Sequence, residues 1–446
     1  MRTITDWITG AALCSSMFAA AIFPIAVFAA EDEPAEIFRQ KLRDIKIEGE
    51  SSTEPTSPAE TESLTRLPII LSPTEEQELW RLQKESMHSF ETGISFRNRD
   101  GDKGLDRLFE TRAPVHFNFN TGGGRIDVDI TSVYLSSGEL TSSEFTNRYY
   151  GTFALLPPEN RPIDDITADA VGTEIVLGYT VGGFAVEIGT TPLGFNITNT
   201  IGAISYDHNF DTGFSFGLGF YVEPVRDSVL SYAGIEDPVT GTEWGGVLKK
   251  GGDVAFGYDA GAFGAYIDLK LAVYEGQNIE DNDFQQISTG VYFYPYEGQR
   301  FKFSSGFNVT AFRFEENLRY FTFGHGGYFS PKTFVSTSIP FGITYTGQKL
   351  TVKLDLALGL QYFYEEGADF YPSDPVRQTL LETTETAQPT GFDDNTVRQF
   401  GSTGSIAVNY RLSRQLEAQA QLAFSNASDY EETTFLLGVQ YLFGGD

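Results

Sequence analysis

From Phe90 onward the chain alternates between apolar and polar or small residues with a period of two. Between Gly213 and Val222, Phe214, Phe216, Leu218, Phe220 and Val222 share one face, and Gly213, Ser215, Gly217, Gly219 and Tyr221 take the other. Between Phe263 and Val273 the apolar face is Phe263, Ala265, Ile267, Leu269, Leu271 and Val273. From Leu350 to Phe363, Leu350, Val352, Leu354, Leu356, Leu358, Leu360 and Tyr362 oppose Thr351, Lys353, Asp355, Ala357, Gly359, Gln361 and Phe363. Side chains along a strand point alternately to its two faces, so each run is a strand with one greasy side. The runs are too long and too apolar for the solvated face of a sandwich, and they match the length of a tilted crossing of hydrocarbon. The pattern predicts about sixteen strands, near 89–97, 113–120, 124–136, 171–180, 183–191, 199–208, 212–223, 252–260, 262–274, 285–296, 299–315, 332–346, 348–364, 401–412, 414–427 and 432–443.

The connections sort into two kinds. Every second one is a brief turn, at Thr121-Gly122-Gly123, Val181-Gly182, Asn209-Phe210-Asp211, Gly261, Glu297-Gly298, Gly347 and Ser413. Those between them are mostly longer, notably 137–170, 224–251, 316–331 and 365–400. Short turns at one end and long loops at the other are the mark of an outer-membrane barrel, with the turns in the periplasm. The expected fold is therefore all-β, a transmembrane antiparallel β-barrel spanning 89–446. Its outward faces are satisfied by outer-membrane lipid, and closure removes every strand edge. At that size the interior holds water, and the inward set is polar: Asp127, Asp129, Glu174, Glu187, Asp268, Lys270, Lys353, Asp355, Asn409, Arg411, Glu417, Gln419 and Gln421. In the last strand Phe435, Leu437, Val439, Tyr441 and Phe443 form one apolar face, similar to the signal read by the outer-membrane assembly machinery.

The front of the chain is different. Arg2, an apolar run through Ile22, Phe23, Ile25 and Val27, and a small-residue site at Val27-Phe28-Ala29 read as a cleaved signal peptide over 1–29, with a retained anchor helix as the alternative. The sole cysteine, Cys14, lies in this leader, preceded by Leu13 rather than the small residues of a lipoprotein site. Residues 30–88 form an acidic, low-complexity periplasmic segment, in which SSTEPTSPAETES has the composition of disorder. Within it, Thr74 to Ser86 has helical spacing at Leu79 and Leu82. It is either a solvated linker helix or a plug or docking element.

Composition narrows the function. Lys and Arg number 31 against 61 Asp and Glu, a formal charge of −30, and so acidic a surface repels nucleic acid. A single cysteine leaves no intramolecular disulfide and no thiolate metal cluster. Gly213-Phe214-Ser215-Phe216-Gly217 matches the G-x-S-x-G nucleophile pattern but lies within an alternating strand, where the motif has no strained strand-to-helix turn. His88, His116, His208 and His325 have no i, i+4 metal partner. Asn98 to Asp106 is rich in oxygen ligands but lacks the EF-hand Gly and terminal Glu, so it reads as a charged turn. No catalytic residue, metal or cofactor is expected.

Four strings carry a family resemblance: RNRDGDKGLDRLFETRAPV (97–115), TTPLGFNITNTIGAISY (190–206), EPVRDSVLSYAGIEDPVTGTEWGGV (223–247) and FGHGGYFSPKTFVSTSIPF (323–341). Together they resemble the C-terminal outer-membrane barrel domain of the bacterial cellulose synthase subunit BcsC. The resemblance implies a passive channel for a nascent exopolysaccharide, cellulose or a related β-glucan, driven by an inner-membrane synthase. The family carries tetratricopeptide repeats before the barrel. Residues 30–88 show no such repeat, so a separate repeat-rich periplasmic scaffold is expected as a partner. A general diffusion porin for small solutes is the alternative function, and an outer-membrane hydrolase is disfavoured because no nucleophile, base and orienting group can be placed together.

A moving glycan needs weak, repeated contacts rather than one tight site. Carboxylates such as Asp268 and Asp355 accept bonds from sugar hydroxyls, while Tyr266, Tyr292, Tyr294, Phe363 and Trp244 offer flat apolar faces. The glycine-rich WGG and GHGGYFSP strings are expected in loops, where the 316–331 loop with Tyr328 and Phe329 shapes the exit. His325 is a polar contact of that loop, either stabilising it or touching glycan.

Overall fold

The computed structural model describes residues 80, 84, 86–140, 148–161, 166–384, 388–427 and 430–444. The signal-peptide and low-complexity readings, and most of the helix predicted over 74–86, lie outside these residues. Within that helix, Trp80, Lys84 and Ser86 are described, and all three are helical.

Each alternating run forms a strand, and the strands close on themselves. In chain order they are β1 (His88–Arg99), β2 (Leu108–Asn120), β3 (Arg125–Glu139), β4 (Thr167–Val181), β5 (Phe184–Leu193), β6 (Thr200–Asn209), β7 (Phe214–Pro224) and β8 (Glu243–Asp259). They continue as β9 (Phe263–Gln277), β10 (Asn282–Glu297), β11 (Phe301–Phe314), β12 (Thr333–Thr346), β13 (Leu350–Glu365), β14 (Asn395–Arg411), β15 (Leu416–Ala427) and β16 (Tyr430–Phe443). Each pairs antiparallel with its neighbours in sequence, and β1 pairs with β16 from His88↔Phe443 to Arg99↔Glu432, which seals the 16-strand barrel. All the predicted strands are present.

The faces fall as the alternation requires. Leu271, Val171, Leu360 and Phe220 point outward and are 65%, 64%, 63% and 60% exposed. Each such side chain held in water would forfeit about 1.5–3 kcal/mol of burial, so the outer face is built for hydrocarbon. Aromatic pairs mark the turn-side rim, among them Phe184–Tyr206 at 4.6 Å, Phe214–Tyr258 at 4.8 Å and Phe301–Tyr345 at 5.1 Å between ring centroids. They have the amphipathic ring chemistry of a membrane interface. The turns are as short as predicted. In several of them a glycine supplies the left-handed residue the hairpin needs, as Gly122 does with φ of 75° and Gly182 with φ of 55°.

The structure departs from the pattern at the long-loop end. β2, β4, β8 and β14 begin several residues before the predicted starts. Trp244-Gly245-Gly246, expected in a loop, belongs to β8, where Gly245 and Gly246 take φ of 100° and 59° across an irregularity in the pairing with β9. The reason is that these extensions rise above the apolar band. They are held largely by inward packing and carry only isolated outward apolar residues, such as Phe109 and Phe400, too few to write an alternation. Ser215, the centre of the G-x-S-x-G pattern, lies on the inner face of β7 opposite Asn209 and Gly257, and the strand runs on past it rather than turning into a helix.

Candidate functional site, a polar lumen roofed by a packed cap

The loops at the long-loop end do not hang free. One apolar core joins Leu105, Leu140, Phe153, Phe195, Leu230, Ile279, Leu318, Phe323, Phe370 and Leu381 from these loops to Val133 and Leu135 of β3 and Phe284 and Phe314 of β10 and β11. In a ring of sixteen, β3 and β10–β11 stand nearly opposite each other, so the core spans the mouth of the barrel as a cap. A short helix, α1 (Val229–Ala233), lies within it. Ser228 caps its first turn and donates from its hydroxyl to Gly327 O at 2.7 Å, tying the 225–242 loop to the 315–332 loop. Asp237 accepts from the Thr152 backbone N–H at 3.0 Å and its hydroxyl at 2.8 Å, tying in a third.

On one wall the cap is held by charge. The Arg112 guanidinium donates to Glu174 at 2.9 Å and lies 3.4 Å from Glu110. From the cap, Arg226 reaches the other Glu174 oxygen at 2.8 Å, and the Tyr232 hydroxyl donates to it at 3.0 Å. Arg97 bridges Glu432 at 2.9 Å and Glu110 at 3.3 Å, and donates to the Arg226 carbonyl at 2.9 Å. Arg97, Glu110, Glu174, Arg226 and Glu432 are all buried. Removing one partner from such a network strands a charge in a dry site, at a cost of about 3–5 kcal/mol.

On the opposite wall the contact is aromatic. Phe312, Phe334 and Phe363 stand side by side on β11, β12 and β13, in register and facing inward. Above Phe312 lies a second tier of Tyr274, Phe284 and Phe314, within 4.8–5.6 Å of one another. The cap sets two consecutive residues onto this collar. Tyr328 stacks on Tyr274 at 5.1 Å, and Phe329 meets Phe363 edge-on at 5.1 Å. Two polar contacts accompany them, from Asn282 Nδ2 to the Tyr328 oxygen at 3.2 Å and from Phe329 N–H to Asp227 Oδ2 at 3.2 Å.

The residues expected from sequence therefore fall into two groups. Trp244, His325, Tyr328, Phe329 and Phe363 belong to the cap and its seat. Trp244 is fully buried between Tyr150 and Phe323. His325 is fully buried, with Phe392 and Tyr320 against its ring and Nε2 2.9 Å from Asp369 O. Burial pushes its pKa down to about 4. Tyr266, Asp268, Tyr292, Tyr294 and Asp355 lie on the lumen wall below. The Tyr266 hydroxyl donates to Asn308 at 3.1 Å, and that of Tyr292 to Asp259 at 2.9 Å. Asp268 and Asp355 lie 3.8 and 3.3 Å from Lys270 and Lys353, and the Lys302 ammonium sits 4.0 Å from the Tyr294 ring centre.

Sequence reasoning missed the rest of the collar. Its signal was present: Phe312 and Phe314 continue the inward face that carries Asn308 and Thr310, an aromatic end on an otherwise polar side. It also missed a contact at the opposite, turn-side mouth. There the Trp80 indole N–H donates to Glu417 at 2.9 Å, Lys84 lies 2.8 Å from the same carboxylate, and the Arg411 guanidinium covers the Trp80 ring at 5.3 Å. In the loop at 98–106, Asp100 and Asp106 accept from the backbone N–H groups of Gly101 and Asp102. Among the described residues no group of three or more His, Cys, Asp or Glu is arranged to hold a metal ion.

Comparison with known proteins agrees with this architecture. A solved structure titled bacterial polysaccharide outer membrane secretin shares the fold, with a TM-score of 0.51 at 6% identity over 80% of this chain and 99% of that one. Cellulose synthase operon protein C of Pseudomonas fluorescens is 29% identical over 353 residues, which are 79% of this chain and 26% of the relative. Its namesake in Xanthomonas axonopodis pv. citri is 33% identical over 290 residues, covering 62% and 19%. The chain thus spans about a quarter or less of the length of these two relatives. The family model described as cellulose synthase operon protein C C-terminus matches residues 106–444, and the chain belongs to that family.

Proposed function

We propose that the chain is a non-catalytic outer-membrane conduit through which a nascent exopolysaccharide, cellulose or a related β-glucan, leaves the cell. The short turns face the periplasm and the cap faces outward. Movement is passive: an inner-membrane synthase pushes the polymer, and a periplasmic scaffold guides it to the barrel. The observation that carries this reading is a closed barrel with a polar interior, roofed by loops, in a chain of the cellulose synthase operon protein C family. A polar lumen wets a glycan, while exchangeable contacts to carboxylates, hydroxyls and ring faces hold it loosely enough to slide. The cap must lift for the polymer to pass.

Planar-bilayer recording tests it. The intact chain should conduct weakly, a variant lacking residues 324–330 should conduct steadily at a severalfold higher level, and soluble β-glucan oligomers should interrupt that current. Secreted polymer should disappear when the chain is deleted from its host. A steady current indifferent to glucan oligomers, with secretion intact, would instead identify a general diffusion porin for small solutes.

A further inference from the structure

We propose that the aromatic collar of β9–β13 is a pyranose-stacking site at the exit, and that Tyr328 and Phe329 occupy it in place of sugar rings while the cap is seated. This rests on the glycan-conduit reading and assigns that conduit its last contact.

The two seats of the cap differ in kind. Towards β2 and β4 it is fixed by buried charges, which tolerate no sliding: a displacement of a few ångströms leaves guanidinium and carboxylate groups unpaired. Towards β9–β13 it rests on rings. Just below the collar the inward residues of β10–β12 are polar: Ser288, Asn308, Thr310, Ser336 and Ser338. A polymer rising past them meets Phe312, Phe334 and Phe363 as one continuous apolar ledge, with Phe312 and Phe334 nearly parallel at 4.4 Å and 17°. Phe329 packs against these three rings at 84–89° and 5.1–6.4 Å, contacting the whole ledge at once. Tyr328, at 27° to Tyr274, covers the second tier nearly face to face.

The chemistry selects an occupant. A β-linked glucan carries its hydroxyls around the ring edge and presents flat faces of C–H groups, which suit an apolar ledge of aromatic rings. A charged or axially substituted pyranose does not. An emerging β-glucan that takes the collar thereby displaces Tyr328 and Phe329 and biases the cap towards its lifted state, because it binds that state alone.

The test is exchange of occupants in the intact chain. In a Cys14→Ser background, Ser330→Cys places a thiol at a fully buried position beside the two aromatic residues. Cellohexaose at saturating concentration should accelerate its modification by a maleimide about threefold or more, and maltohexaose, α-linked and coiled, should not. Replacing Phe312, Phe334 and Phe363 together by Leu keeps apolar bulk but removes the ring faces, and should abolish the acceleration; replacing them by Tyr should retain it. If the triple Leu variant fails to insert, Phe363→Leu alone should reduce the acceleration. Equal acceleration in the Leu and Tyr variants overturns the collar as the stacking site. So does blockade of current by cellohexaose with no change in labelling, and in both cases the conduit stands. If cellohexaose affects neither current nor labelling, the conduit reading fails and this inference with it.

Discussion

His325 shows what a single side chain in the cap can do. It is fully buried beside Tyr320 and Phe392, and with Nε2 2.9 Å from Asp369 O, Nδ1 has no hydrogen-bond partner. A protonated imidazole would be a charge in an apolar box, so its pKa falls to about 4 from an ordinary 6.5. The sign follows. The seated cap prefers neutral histidine, so its stabilising contribution is whole above 6.5 and is lost as pH falls towards 4, by about 1.4 kcal/mol per pH unit. Asp227 works the other way: burial raises its pKa, and its protonation favours the seated cap. Cap loops should therefore be cleaved faster by protease at pH 5 than at pH 7.5, and His325→Gln should flatten much of that difference. An unchanged pH profile in the variant would show that the histidine does not govern the response. The sequence marked His325 through its glycine-rich setting, but its neighbours are long-range. Tyr320, Asp369 and Phe392 come from two loops separated by β12 and β13. Glu174 illustrates the same limit: alternation placed it inward, yet only the folded cap reveals Arg226 and Tyr232 beside it.

At the scale of elements, the strands were legible because each had to satisfy two solvents at once, and that demand writes itself into every second residue. The turns were legible through their glycines. The extensions of β2, β4, β8 and β14 were not, since above the lipid both faces meet protein or water and the period fades. The helical residues Trp80 and Lys84 are a third case. One turn apart, they share a face, and that face meets Glu417 at the turn-side mouth. Spacing could suggest a helix but not its receptor. Glu417→Gln removes the charge that Lys84 pairs with and should multiply the detached population about fivefold, equivalent to ~1 kcal/mol for a partly buried pair. Trp80 reports on it directly, because Trp244 is fully buried in the cap and Trp7 lies in the predicted leader. Its fluorescence should shift to longer wavelength in the variant, and an unmoved spectrum would mean that Glu417 does not hold the segment.

For the molecule as a whole, what matters is that hydrocarbon surrounds a wall whose inside is wet. The two compartments explain how a chain with 61 acidic residues and rows of exposed Phe, Leu and Ile folds at all. The lumen's character and the barrel's closure could be read from sequence. The cap could not, because its core is assembled from loops that have no repeating pattern of their own. Removing β16 should abolish the compact, heat-modifiable band that closed barrels give on electrophoresis, whereas shortening the 366–394 loop should spare it; survival of that band without β16 would disprove sealing by the β1–β16 pair.

That seam has a further implication for how the protein is made. His88 and Phe443 are neighbours across it, though almost the whole barrel sequence lies between them. The hoop can be fastened only after the ribosome has delivered its final ribbon. Until then every partial product carries two raw margins, of β1 and of whichever strand came last, each a template for the wrong neighbour. Completion is thus inspected by geometry: a polypeptide that stops early has nothing to buckle to, and its two margins stay open.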